Sequence, residues 1–346
     1  MRNNYSQRPP AIRPAPPADS DEHLALIARL YYVDGLGQNE VARLANVSQA
    51  KVSRLLSLAR ERGIVRITVA EYNPRHSELE DQIRARLRLA NVVVIKTRNG
   101  IQGEDMRQAV GYFGAGPVAS FLKTKDCVAV AGGRTIHELV RHFPVGPSKS
   151  LTVVQAMGTV DSQVSVFDAQ EVGRVMAQKL GGNFLSLNTP AFIPGKRTRD
   201  ALLELEQVRN VRAHLSRATV ALIGVGTLEN SVFVERGTLD ASIARELKRA
   251  GAVGEICGRF IDVNGHECAT AWRDRVISVE IEQLRNAPDV MAIVSGSDRS
   301  EAILAGIKGG IIKSLVIDEG GGVALLALAP VLKSHTAARN RGKAKR

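Results

Sequence analysis

Val41-Ala-Arg-Leu-Ala-Asn-Val-Ser48-Gln-Ala-Lys51-Val-Ser-Arg54-Leu-Leu56 decides how the rest of the chain is read. Two apolar anchors and a small Ala42 precede a turn at Asn46 and Val47, and Val52 and Leu55 follow it on the inward side. Ala42 permits close helix contact, Val47 plugs the corner, and the Ser48 hydroxyl stands where it caps the next helix. The spacing predicts one short helix over Gln38 to Ala45, burying Val41, Leu44 and Ala45, and a second running from Ser48 to about Arg60. Such a helix-turn-helix places its second helix in the major groove of duplex DNA. Gln49, Ala50, Lys51, Ser53 and Arg54 fall on the outward face of that helix, near its start. Gln49 has the amide that pairs with adenine and Arg54 the fork that pairs with guanine, while Ser48, Lys51 and Arg60 suit phosphates. The competing reading is an ordinary three-helix packing unit with a solvated basic face.

Upstream, Leu24, Ile27, Leu30 and Tyr31 recur at the spacing of one helical face, and Gly35 and Gly37 break the pattern. Downstream, Gly63-Ile-Val-Arg-Ile-Thr-Val-Ala70 alternates branched apolar with polar residues and predicts a strand, a small wing against the helices. Residues 21–75 therefore read as an all-α winged helix-turn-helix domain. Ser77-Glu-Leu-Glu80 has the form of a capping box opening a linker helix over residues 76–90. Its stripe of Leu79, Ile83 and Leu87 suits either its own body or a twin helix in a dimer.

From residue 91 to 330 the fold class is α/β. Val92 to Ile95, Cys127 to Ala131, Leu151 to Gln155, Thr219 to Val225, Val290 to Ser295 and Leu315 to Asp318 are short apolar runs of strand type. Amphipathic stretches such as Asp168 to Leu180 and Leu239 to Ala250 lie between them. Apolar strands alternating with helices imply a mostly parallel sheet covered on both faces.

A length of 346 residues with 44% hydrophobic content suits two domains and a large core. No apolar run approaches the roughly 20 residues of a membrane span, and no apolar segment follows the first methionine, so a cytoplasmic protein without membrane contact is expected. Cys127, Cys257 and Cys268 lack any CxxC spacing, which fits reduced core thiols; neither a metal nor a cofactor is expected. The net charge is +12, and its placement matters more than its sum. Residues 1–75 hold eleven Lys/Arg against seven Asp/Glu, residues 76–330 thirty against twenty-eight, and residues 331–346 six against none. A nearly neutral body thus carries basic ends. Residues 1–20, with five prolines, read as a disordered arm, and residues 331–346 as a basic disordered tail.

Ligands of open α/β sheets bind at the carboxyl ends of the parallel strands, so the loops after each strand are the places to look. Gly132-Gly133-Arg134-Thr135 opens a helix with backbone N–H groups, a hydroxyl and a guanidinium, an anion or sugar cradle unless it is a simple tight turn. Gln155 ends a strand as a polar residue in an apolar run. Gly224-Val-Gly226 lets a ligand approach backbone closely, or merely ends a packed strand. Asp262, before an Asn-Gly turn, either bonds a sugar hydroxyl or caps the turn. Arg299 reaches another helix start, where it suits a phosphate or carboxylate, against a plain surface pair with Glu301.

These motifs together resemble the SorC type of sugar-binding transcriptional regulators: Val47 to Leu56, Gly63 to Ile67, Gly132 to Thr135, Gly224 to Gly226, Asp262 and Lys313-x-Leu-x-Ile-Asp-Glu319 stand in that family's order, over roughly residues 24–329. The resemblance implies a winged helix-turn-helix joined to a body related in fold to sugar-phosphate isomerases, acting as an effector sensor in a homodimer or homotetramer. It also implies that Gly133, Arg134, Thr135, Gln155, Gly226, Asp262 and Arg299 bind the effector. The expected function is regulation of transcription at a double-stranded DNA operator, with affinity set by a sugar, polyol or sugar phosphate. The alternative is an isomerase carrying a DNA-binding head, for which Asp262, His137 and Glu255 are candidate acid–base groups. An effector-free structural binder is a third class, and it leaves the polar loops unexplained.

Overall fold

The computed structural model describes residues 20–70, 72–98, 100–163 and 165–329. The expected arm, apart from Ser20, and the expected basic tail lie outside the described residues. The chain divides between Asn73 and Pro74 into two compact units.

The first unit is built from the helices Asp21–Ala28, Gln38–Leu44 and Gln49–Glu61. Ser20 caps the first by accepting from the His23 N–H at 3.2 Å, and a wider π-type turn over Arg29–Val33 closes it. Gly37 has no side chain to cap the second, and the Glu40 carboxylate instead accepts the Gly37 N–H at 3.1 Å. Leu24, Ile27, Val41, Val52, Leu55, Leu56 and Ala59 form the buried centre. Leu44 is not part of it, being 67% exposed, because the helix ends there and turns that side chain away. The expected wing strand does not form among the described residues. Ile64 and Val65 pack on the helices, and the Val65 N–H bonds Ala59 O at 3.1 Å, but Ile67 and Val69 stand in solvent. Alternation supplies a strand only where a second one can pair with it.

Among the described residues of the second unit nine strands form two sheets: β1 Asn91–Ile95, β2 Cys127–Val130, β3 Thr152–Gln155, β4 Asn183–Leu185, β5 Val220–Ile223, β6 Gly254–Ile256, β7 Arg259–Ile261, β8 Asp289–Ile293 and β9 Ser314–Asp318. Seven make one parallel sheet ordered β1-β9-β8-β5-β2-β3-β4, with Val93 beside Val316 and Ala129 beside both Val154 and Ala221. Helices cover both faces, which is why the strands are apolar through their middles and polar only at their ends. From β2 the chain moves outward to β3 and β4, then returns to β5 on the other flank of β2 and moves the opposite way. The order reverses between β2 and β5, and there a crevice opens.

The helix at the head of this unit is Ser77–Leu87, and it lies on the unit's own core through buried Leu79 and Ile83, beside Gly322 of the last helix. The capping box expected at Ser77 is not made. His76 is the cap, with Nδ1 accepting the Leu79 N–H at 3.4 Å, and Glu80 is taken by Arg75 at 2.7 and 2.8 Å and by the Val94 N–H at 2.9 Å. The strands β6 and β7 pair as an antiparallel hairpin whose turn, Cys257-Gly258, has φ of 51° and 79°. That is a two-residue turn of the kind matching strand twist. A second, smaller core stands behind it, where Trp272 stacks on Phe192 at 4.7 Å, meets Phe233 and Phe260 edge-on, and donates to Gly258 O at 2.7 Å.

Candidate functional site

Two sites emerge, one on each unit. On the first, Ser48 Oγ accepts the Lys51 N–H at 3.2 Å and so starts the Gln49–Glu61 helix where the sequence placed it. Val52, Leu55, Leu56 and Ala59 take one side of that helix into the core. The opposite side presents Ser48, Gln49, Ala50, Ser53, Arg54 and Arg60 to solvent, with Lys51 half-buried. Gln49 Nε2 approaches Gln38 Oε1 at 3.5 Å, and Arg60 donates to Ser57 Oγ at 3.2 Å. Arg54 makes no hydrogen bond or ion pair among the described residues, so its five donors stay available to a partner.

On the second unit a cavity of about 430 Å³ lies at the β2/β5 crevice, and the loops after β2, β3, β5 and β8 wall it. Gly133, Arg134, Thr135, Gly226 and Arg299 all line it. Gly132 and Gly133 are glycine for a visible reason. A Cβ on Gly132 would stand 2.7 Å from Phe167 O, and Gly133 has φ of +137°. Together they bring the start of the Arg134–Arg141 helix to the cavity. Thr135 Oγ1 lies 3.4 Å from Ser295 Oγ, a link across the crevice. Arg134 pairs with Glu235 at 2.7 Å, and Arg299 pairs with Asp298 at 2.9 Å and bonds Ser295 O at 3.1 Å. The expected alternative partner Glu301 is not the one Arg299 uses.

Gln155 and Asp262 are not brought to the cavity. Gln155 is buried, donating to Met157 O at 2.8 Å and accepting from Leu187 N and Ser186 Oγ at 2.9 and 3.0 Å, so its amide is spent on fixing the loops after β3 and β4. Asp262 accepts from Asn264 N and His266 N, both at 2.9 Å, which closes the Asn-Gly turn and holds its carboxyl below the usual range against the opposing effect of burial. Of the two readings open for it, the turn cap is seen in these two bonds.

Reading the sequence missed Arg107, Arg236 and Asn230, which also line the cavity, and named Glu255, another lining residue, only as an acid–base candidate of the isomerase alternative. The first three sit on stretches with no motif around them. Glu255 is buried on β6, a strand too short to show periodicity, and burial pushes its carboxyl pKa up despite bonds from Gly258 N–H and Ser231. Of the three candidate acid–base groups it alone lines the cavity. His137 turns away, with Nδ1 at 2.9 Å from Val166 O. The thiol of Cys257, also in the lining, is pushed up to about 12 by burial, which makes it a poor nucleophile. No helix of the described residues is long and apolar enough to cross a membrane.

Comparison with known proteins identifies relatives of the whole chain. Residues 73–327 match the family model described as "Putative sugar-binding domain". The chain is 29% identical over 303 residues to the uncharacterized transcriptional regulator YjhU of Escherichia coli, covering 86% of this chain and 92% of that one. It is 26% identical to the sorbitol operon regulator of Klebsiella pneumoniae over 86% of this chain and 96% of that one, and 26% identical to the erythritol catabolism regulatory protein EryD of Brucella abortus over 89% and 98%. The crystal structure of full-length SorC from Klebsiella pneumoniae superposes with a TM-score of 0.71 at 25% identity, over 89% of this chain and 99% of that one. With the reversal of strand order, the glycine loop at Arg134 and the helix-turn-helix all in place, the chain belongs to the SorC type of sugar-binding transcriptional regulators.

Proposed function

We propose that this regulator reads an operator with Ser48, Gln49, Ala50, Lys51, Ser53, Arg54 and Arg60 and holds a small carbohydrate effector, a sugar, polyol or sugar phosphate, with Gly133, Arg134, Thr135, Gly226 and Arg299. The observation that carries it is the pairing, in one chain, of an unencumbered polar helix face at Arg54 with a cavity at the crevice between β2 and β5. Glu255 and Asn230 join the effector set by their place in the cavity wall. Gln155 and Asp262 support loops and do not touch the effector. A single head makes too few phosphate and base contacts for specific affinity at cellular salt, so the working form is at least a homodimer on a pseudo-palindromic site, in the cytoplasm. Its role is binding, not turnover, since a single buried carboxyl does not supply both the base and the acid that aldose–ketose isomerisation needs. The test is retention of DNA flanking its own gene by the full chain at about 150 mM salt against excess competitor DNA. Sequence-selective retention is expected, and retention no better than for competitor would refute the reading.

A further inference from the structure

We propose that the effector of this cavity is an uncharged polyhydroxyl compound, a free sugar or polyol, and not its phosphate ester, because every guanidinium in the lining already faces a carboxylate. The inference rests on the reading that this cavity holds the effector. Among the described residues four arginines line it: Arg107, Arg134, Arg236 and Arg299. Arg107 is bound to Glu104 at 2.7 Å, Arg134 to Glu235 at 2.7 Å, Arg236 to Asp161 at 2.8 Å and Arg299 to Asp298 at 2.9 Å. Two of the carboxylates are themselves anchored. Asp298 also accepts from Asn230 Nδ2 at 2.9 Å, and Asp161 accepts from Gln163 N. Of three helix starts at the cavity, two carry an acid, while that of Arg134–Arg141 has none in its first turn and offers only the paired Arg134. Asp168 stands at the head of the Ala169–Leu180 helix with its carboxylate on Ser165 N at 2.7 Å, and Asp298 stands just ahead of Ser300–Lys308.

A phosphate ester carries about two negative charges near neutral pH and needs cations whose charge is not already balanced. Here each guanidinium has its charge balanced by a carboxylate that remains alongside it, so a phosphate gains little net attraction and meets repulsion. A hydroxyl has the opposite requirement. It donates and accepts at once, and a guanidinium beside a carboxylate supplies one acceptor and several donors with no charge to compensate. Adjacent hydroxyls on one carbon chain can thus bridge Arg134 and Glu235, or Arg299 and Asp298, without opening either pair.

The experiment is calorimetric and thermal-shift titration of the full chain, at fixed ionic strength, with erythritol, ribose and sorbitol, with erythritol 4-phosphate, ribose 5-phosphate and sorbitol 6-phosphate, and with inorganic phosphate. At least one neutral member is expected to bind at least tenfold more tightly than its phosphate ester, and inorganic phosphate to leave the melting temperature unchanged. In Glu235→Gln, which frees Arg134, the phosphate esters are expected to gain tenfold relative to their parents; Asp298→Asn is the second variant, freeing Arg299. A phosphate ester that outbinds its parent on the wild type overturns the proposal, as does a panel in which no neutral member binds, or two variants that leave the preference unmoved. DNA retention is measured separately. A chain that binds neutral compounds but ignores DNA refutes the regulator reading and leaves this one standing.

Discussion

At the scale of single residues, the chemistry divides between groups that are spent and groups that are free. Arg54 is solvent-facing and unbonded among the described residues, at the start of a helix whose other side is core. Arg54→Ala should therefore weaken binding to the cognate site by about 1–3 kcal/mol and flatten the preference at one base pair, whereas Lys51→Ala should weaken all sequences alike and lower the salt slope by about 1. Fluorescence anisotropy across a salt series separates the two, and equal loss on all sequences for Arg54→Ala would demote it to a phosphate contact. Glu255 behaves differently. Its carboxyl pKa is raised by burial above the ordinary glutamate value of 4.5, so in the folded chain it keeps its proton to higher pH than in the unfolded chain. The folded state binds more protons between those two values, and stability falls as pH rises from about 4.5 through the raised pKa. Glu255→Gln removes this term, so its melting temperature should drop less than that of the wild type between pH 5 and 8. Parallel curves would show that the carboxyl is not perturbed. Asp262, an expected effector ligand, turned out to cap its own turn. From sequence the two readings are indistinguishable, since an acid before Asn-Gly serves either, and only the surroundings of the loop decide.

Among the elements, legibility tracked length and self-sufficiency. The Gln49–Glu61 helix announces itself because cap, apolar face and turn all lie within the sequence quoted first. Six strands of the large sheet were readable as apolar runs, but its seventh, the three-residue β4 that follows Gly181-Gly182, and the β6–β7 hairpin were not, because strands of three residues exist only through what they pair with. The wing is the reverse case, an alternating stretch that found no partner among the described residues. The Ser77–Leu87 helix shows a third way sequence falls short. Glu80 matches a capping box, but Arg75 and the Val94 N–H of β1 compete for it and win, because the buried carboxylate there satisfies a guanidinium and a strand N–H together. Packing between elements yields a sharper expectation. The helices Gly103–Phe121 and Arg134–Arg141 cross so closely at Gly111 that a Cβ would stand 2.4 Å from Glu138 Cβ and 2.6 Å from its backbone carbon. Since backbone cannot yield there, Gly111→Ala should cost about 1–3 kcal/mol or more, read by denaturant melting. The shift would reach the cavity too, because the second of these helices begins at Arg134. An unchanged midpoint would mean that the crossing is looser than described.

At the scale of the whole molecule, the cavity and the recognition helix belong to separate compact units, so any influence of one on the other is a coupling free energy and must act in both directions. A coupling of about 1–3 kcal/mol alters operator occupancy roughly 5- to 150-fold, the range in which a metabolite can switch a gene. The most direct measurement is therefore a closed thermodynamic cycle on the full chain: affinity for operator DNA with and without saturating effector, and affinity for effector with and without saturating operator. The two ratios should agree and should differ from one by at least fivefold. An operator affinity that stays the same at effector saturation, with the cavity demonstrably filled, would contradict the claim that this fold converts carbohydrate binding into control of DNA.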